Sequence, residues 1–421
     1  MQLEMRGLLK MDVRVFQFNG CNKCFNETIL LKGEANYKLE FIQDPQNWKE
    51  EKTDVSIITG FLLPENKDVL NKIESISKKV IAYGNCATTG GVFALANQKG
   101  HDVSPLNKII KDSININGCL GEIEELKLEI DDKDLPKLKN LCNVCGRQKT
   151  CDYLEEVKRQ IELEDNRTCF NDLGYLCNGF VSKECKERCI DYNAPCRGCK
   201  PIIERSGIRM LGMFGTLMGN IEVATEHSEK GATDKLADKD DNVTESLPDI
   251  VGNFFRFTLP TSGLPRGRIP SSGSILEDVF TGRLIEELPL ISGLLGGDHS
   301  ISLTLKIIET YEEANNIDVS EKTKNYRKQL LKLEDELQKA IQRKDPGYYK
   351  KITEEIRKIA GNMNLSNVFF GGFRSQIDDN ENFEEYKAHV FDVVEGTYKN
   401  GSVEFTIDPT GMIREIKIKE G

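Results

Sequence analysis

Nine of the chain's thirteen cysteines fall between Cys142 and Cys199, spaced as Cys142-x2-Cys145, Cys151, Cys169, Cys177, Cys185, Cys189 and Cys196-x2-Cys199. A run this dense and this ordered limits what the segment can fold into. It is not an ordinary apolar core, because it concentrates reactive groups instead of filling volume. Disulfides or metal centres are the two solutions. No window approaches the roughly eighteen apolar residues of a membrane span, and Met1 to Arg6 has no apolar signal segment. A cytoplasmic protein is the expectation, and there thiols stay reduced and clustered cysteines ligate metals. Zinc knuckles at the two Cys-x2-Cys pairs are one form of this. Eight or nine staggered cysteines suit two cubane iron–sulfur clusters better. Zinc sites also usually recruit histidine, and His101, His227, His299 and His389 all lie outside the run.

The four remaining cysteines are equally informative. Hydrophobic patterning predicts strands at 12–18, 39–42, 55–62, 79–83 and 113–117, with a helix over about 66–78 and another after Gly90-Gly91. Strands alternating with helices predict an open parallel α/β sheet covered on both faces. Cys21, Cys24, Cys86 and Cys119 each lie just past the carboxyl end of a predicted strand. Open α/β sheets bind ligands at that edge. Four thiolates from three strand ends can meet at one point, and four is the ligand count of a 4Fe-4S cluster. Gly20, Gly84, Gly90, Gly91 and Gly118 beside them permit tight turns and close backbone approach. The alternative is a scatter of unrelated core or reactive cysteines.

After Leu135-Pro136 the periodicity lapses, with one short helix expected at 153–162. Residues 206–224 are apolar and methionine-rich (Met210, Met213, Met218), a helix expected to pack over the clusters. Residues 226–246 are charged and read as an exposed loop; 260–275 have a linker's Pro, Ser and Gly. Helices are expected at 303–314, 321–344 and 349–359. In the second, Leu330, Leu333, Leu337 and Ile341 recur at helical spacing, and Asp345-Pro346-Gly347 ends the pattern. Strand-like runs at 367–373, 389–394, 402–406 and 412–418 predict a small antiparallel sheet. Gly371-Gly372 and Gly296-Gly297-Asp298-His299-Ser300 read as loop geometry. Three units result: 1–135, a sheet domain; 136–261, a cysteine-rich domain; and 262–421, an α+β extension (helical hairpin plus sheet) with docking or oligomerisation as its expected role. The net charge of −11 argues against nucleic acid as a partner. No Walker or dinucleotide fingerprint is present.

Several motifs together resemble the small subunits of nickel–iron hydrogenases. Cys21-x2-Cys24, Gly84-Asn85-Cys86-Ala87-Thr88-Thr89-Gly90-Gly91 and Gly118-Cys119 are similar to that family's proximal-cluster motifs. Cys169-Phe170-Asn171-Asp172-Leu173-Gly174-Tyr175-Leu176-Cys177 and Asn193-Ala194-Pro195-Cys196-Arg197-Gly198-Cys199 are similar to its distal and medial motifs, and residues 251–257 resemble its closing segment in the cytoplasmic archaeal type. The resemblance spans about residues 10 to 260. It implies a flavodoxin-like sheet and three 4Fe-4S clusters. The proximal would take Cys21, Cys24, Cys86 and Cys119; the distal Cys142, Cys145, Cys169 and Cys177; the medial Cys185, Cys189, Cys196 and Cys199. Cys151 is left over and competes with Cys142 or Cys145.

The resemblance further implies an electron wire. A nickel–iron centre in a partner large subunit would split hydrogen, and electrons would pass to an acceptor subunit. Candidate acceptors are a heterodisulfide reductase adaptor, a deazaflavin or flavin subunit, and a nicotinamide subunit. The motif departs from the family at Lys23, where glycine is usual, and at Leu120-Gly121, where Pro-Pro is usual. The carboxylate expected soon after the second cysteine is Glu27, a candidate proton relay or an ordinary helix residue. The altered proton path leaves a second reading open: a cluster-bearing scaffold or electron-transfer subunit whose large subunit lacks nickel. Arg197 and Lys200 would offset cluster charge or be solvated.

Overall fold

Strand β1 (Met11–Gln17) pairs in parallel with β2 (Tyr37–Ile42) on one side and with β3 (Thr53–Thr59) on the other. β4 (Ser77–Tyr83) and β5 (Ile114–Ile116) continue the sheet, all parallel, in the order β2-β1-β3-β4-β5. This is the flavodoxin-like order. Alternation of side chains sends Val13, Val15, Val55, Ile57, Ile81 and Tyr83 to one face, and Phe16, Ile58, Val80 and Ala82 to the other. Helices α1 (Lys23–Glu27) and α4 (Ile123–Ile130) close the first face. Helix α2 (Lys67–Ile76) closes the second with Val69, Leu70 and Ile73, and a short α3 (Asn85–Thr89) follows β4.

The computed structural model describes residues 10–150, 158, 167–185, 189–203, 205–218, 249–264, 267, 273–361, 365, 367–373 and 395–419. Cys151, the helix expected at 153–162, the loop expected at 226–246, the strand expected at 389–394 and part of the expected linker lie outside the described residues. In the cysteine-rich region α5 (Leu141–Val144), α6 (Ser206–Met218) and α7 (Ile250–Phe254) join loops and single 3-10 turns. None of the described helices is long and apolar enough to cross a membrane.

The extension contains helices α8 (Ile275–Phe280), α9 (Leu288–Leu295), α10 (Ser300–Ala314), α11 (Glu321–Arg343) and α12 (Pro346–Ala360). Ser274 and Glu277 form a reciprocal capping box at α8. α11 and α12 form the expected hairpin, turned by Lys344 at φ 50° and started again by the Asp345 cap and Pro346. Val368–Phe369 (β6) and Gly372–Phe373 (β7) make a minimal hairpin. β8 (Gly396–Asn400), β9 (Val403–Ile407) and β10 (Ile413–Ile418) form the closing antiparallel sheet in the order β10-β9-β8.

One core crosses all three expected units. Phe61, Val92 to Ala96 and Val103 of the sheet region pack with Met210 and Phe254 to Phe257 of the cysteine-rich region. Val279, Phe280, Leu288, Ile291, Leu294 and Leu305 of the extension complete the same cluster. The extension is therefore built into the molecule, whereas composition marks only a break near residue 262. Composition shifts locate linkers; they do not reveal which apolar faces meet.

Candidate functional site

The carboxyl ends of β1, β4 and β5 deliver four thiols to one place. Cys21 and Cys24 flank Asn22, whose left-handed φ of 61° turns the chain into α1. Cys86 stands in α3 directly after β4, and Cys119 follows β5 across Gly118. Cys24 interacts electrostatically with Cys21 and Cys119, and Cys86 with Cys21, Cys119 and Cys24. The backbone around them leaves room for nothing larger than glycine at two points. A Cβ on Gly84, at φ +85°, would lie 2.4 Å from Cys24 Sγ; one on Gly91, at φ +59°, would lie 2.9 Å from Cys86 Sγ. Asn85 braces the site: its side-chain oxygen accepts from Gly118 N–H at 2.8 Å, and its amide nitrogen donates to Cys199 O.

The extension seals this inner site. Gly297, at φ +59°, presses its backbone on Cys21, so that a Cβ there would fall 2.0 Å from Cys21 O. Lys23 Nζ donates to Gly293 O at 3.0 Å, and Asn26 Nδ2 to Asp298 Oδ2 at 2.7 Å. Burial lowers the Lys23 pKa, against the pull of Cys21, Cys119, Asp298 and Glu334 around it. The segment that reads as loop geometry, Gly296 to Ser300, is thus part of the site wall. Nothing local in the sequence signals it, because the contact spans more than 270 residues.

Glu27 ends α1 and is buried. Tyr83 Oη donates to its Oε2 at 2.9 Å, and Tyr349 of α12 is buried with Glu27 among its nearest charged groups. Glu27, Cys119, Cys185, Cys199 and Tyr349 share the wall of a cavity of about 780 Å³ between sheet, cysteine-rich region and α12.

Eight further thiols gather beyond that cavity. Cys199 interacts with Cys185, Cys196 and Cys189, and also with Cys119 of the inner site. Cys142 interacts with Cys169, Cys145 and Cys196; Cys177 with Cys196 and Cys142. Cys196 N–H donates to Cys177 Sγ at 3.2 Å, so Cys196 stands between the two outer groups. The local supports are asparagines. Asn140 Oδ1 accepts from Cys142 N–H at 2.8 Å, and Asn171 Oδ1 from Cys177 N–H at 2.9 Å. Gly179 faces the outermost group, since a Cβ there would meet Cys142 Sγ at 3.3 Å. Arg197 and Lys200 are not solvated. Arg197 pairs with Glu287 at 3.1 Å; Lys200 pairs with Glu125 at 2.8 Å and Glu122 at 3.2 Å. Glu287 also receives Arg256. Burial would raise its pKa, but the two guanidiniums outweigh that and hold it at about 2.

This donor set fits iron–sulfur clusters. The twelve described cysteines are all free thiols. Burial pushes Cys24, Cys86, Cys177 and Cys199 well above the usual thiol range, and Cys142 up to about 12. Bound iron is what deprotonates such thiols. Among the described residues, no three Cys, His, Asp or Glu side chains close on one metal-ion position. A tetrahedral zinc site needs its ligands on one ion, whereas each thiolate of a cubane takes its own iron.

Residues 16–126 match the family model described as NADH ubiquinone oxidoreductase, 20 Kd subunit. An F420-non-reducing hydrogenase subunit of Methanothermobacter marburgensis is 26% identical, over 61% of this chain and 96% of the relative. The corresponding subunit of Methanothermus fervidus is 31% identical over 29% of this chain and 92% of the relative. An F420-non-reducing hydrogenase iron-sulfur subunit of Archaeoglobus profundus is 22% identical over 52% of this chain and 82% of the relative. Among solved structures, an NAD+-reducing nickel–iron hydrogenase in the hydrogen-reduced state matches at 19% identity with a TM-score of 0.26, over 30% of this chain and 96% of that one. The matched segments carry the sheet and its strand-end thiols, and the chain belongs to the family of nickel–iron hydrogenase small subunits, iron–sulfur subunits of oxidoreductase complexes.

Proposed function

We propose that this chain is the electron-transfer subunit of a cytoplasmic nickel–iron hydrogenase complex, with three 4Fe-4S sites in series. Cys21, Cys24, Cys86 and Cys119 would hold the first; Cys185, Cys189, Cys196 and Cys199 the second; Cys142, Cys145, Cys169 and Cys177 the third. The observation that carries this reading is the continuity of the thiols. Cys119 reaches Cys199, and Cys196 reaches Cys177, so no group is isolated. Clusters held there supply one-electron chemistry between a large subunit and an acceptor subunit. The chain's residues supply the rest. Burial keeps water away, glycines bring backbone close, and the Arg197–Glu287–Arg256 and Lys200–Glu125 pairs fix the second site's last ligands. Glu27, hydrogen-bonded by Tyr83 and set on the cavity wall, is the carboxylate best placed to carry protons near the first site.

The test is Cys119→Ser in the assembled complex. It should remove the first site's EPR signal, keep the other two, and abolish hydrogen-dependent dye reduction. Dye reduction that survived without the first site would refute the wire.

A second reading is favoured by one observation: the face beside Cys21 is filled by the chain's own Gly297, Asp298 and Tyr349. In that reading the chain is an electron-transfer or scaffold subunit whose large subunit has no nickel. Two Cys-x2-Cys nickel motifs in the co-purifying large subunit, with hydrogen-dependent dye reduction, would decide for the first reading.

A further inference from the structure

Four large apolar side chains stand in solvent on one small area of the cysteine-rich region: Phe180 at 46% exposure, Ile208 at 42%, Ile203 at 39% and Ile202 at 37%. The backbone holds them together. Ile202 N–H donates to Val181 O at 3.0 Å, and Ser182 bridges to Pro201. Ser206 Oγ donates to the same Val181 O at 3.2 Å, which seats the first turn of α6 against this segment. Single exposed apolar residues need no explanation, but four in one place mark an interaction surface.

The patch lies over the third thiol site. Gly179, beside Phe180, is the residue whose added Cβ would meet Cys142 Sγ at 3.3 Å and Cys177 Sγ at 3.6 Å. Phe180 O accepts a hydrogen bond from Asn140, the residue that caps the Cys142 helix. Around the patch the chain places Lys139, Lys149, Arg205 and Arg209, all exposed, and Lys183, half-buried. The described acids nearby are Asp172, which accepts from Thr150, and Glu184, whose carboxylate accepts from Lys139 N–H at 3.1 Å. On a chain of net charge −11, an apolar centre ringed by five cations is complementary to an acidic protein.

We propose that this surface docks an acidic electron-carrier protein, which exchanges electrons with the Cys142–Cys145–Cys169–Cys177 site beneath it. The proposal rests on the relay reading above. Phe180 and the three isoleucines supply the desolvated contact, and the cations steer the encounter. The step moves one electron from the reduced site to the oxidised carrier; no bond forms or breaks and no proton is transferred.

The test uses the full chain with its iron and an acidic 2[4Fe-4S] ferredoxin as probe. Binding is followed by calorimetry and electron transfer by stopped flow, at several salt concentrations. The wild type should bind, and more weakly as salt rises. Arg205→Glu/Arg209→Glu and, separately, Ile208→Glu should each weaken binding by at least about tenfold. Iron content and the rate of methyl viologen reduction should stay unchanged, since the small dye needs no docking surface. Unchanged affinity and salt dependence in both variants, with iron intact, would overturn the docking and leave the relay standing. A wild-type chain without iron and sulfide would overturn both. A wild-type dimer made monomeric by Ile208→Glu, or binding to phosphatidylglycerol vesicles lost in that variant, would reassign the patch and overturn the proposal.

Discussion

Glu287 joins the extension to the cysteine-rich region through two buried arginines, Arg197 and Arg256. Removing one member of such a group leaves buried charge without a partner, at a cost of about 3–5 kcal/mol. Glu287→Ala should therefore lower stability by that order in chemical denaturation, and Glu287→Gln by less. The pH dependence has a definite sign. A carboxyl depressed from 4.5 to about 2 contributes stability that is complete above the unfolded value and is lost as pH falls from about 4.5 towards 2. Wild-type unfolding should show that loss, and Glu287→Gln should flatten it. Gly84 makes a sharper residue-scale case. Its φ of +85° and the 2.4 Å approach of a Cβ to Cys24 Sγ leave no room for alanine. Gly84→Ala should cost the first site alone, so bound iron should fall by about four per chain with the other signals kept.

At the scale of elements, legibility in the sequence follows pattern. The five strands of the sheet and helices α10, α11 and α12 announce themselves, because each has one buried and one wet face. The strand-end cysteines are legible for the same reason: once strands are located, so are their carboxyl ends. Helix α9 escapes a reading by pattern, since Leu288 to Leu295 are buried on every side and carry no helical period. Strand β8 escapes it too, as a polar edge with only Tyr398 buried. The contact of Gly297 with Cys21 has no local signature at all. That contact changes the expectation for truncation. A chain ending at residue 272 would strip Val279, Phe280, Leu288, Ile291 and Leu294 from the shared core. At about 1.5–3 kcal/mol for each buried side chain, the loss matches the whole stability of an ordinary domain. The truncated chain should aggregate and bind no iron, as gel filtration and iron analysis would show; a soluble, iron-bearing truncation would mean that the extension is separable after all.

At the scale of the molecule, the sheet builds one thiol site and the cysteine-rich region the other two, with a single core clamping them in series. The dense run between Cys142 and Cys199 is thus the outer part of a path that begins at the sheet edge. Its buried ends differ in access. The first site is covered by the chain's own extension, and the third lies beneath exposed Phe180. The most direct measurement is iron and acid-labile sulfide in the anaerobically purified full chain, with EPR of the reduced protein. Three cubanes require about twelve iron and about twelve sulfide per chain, and three sets of interacting signals. Zinc without sulfide, or about four iron per chain, would contradict the relay.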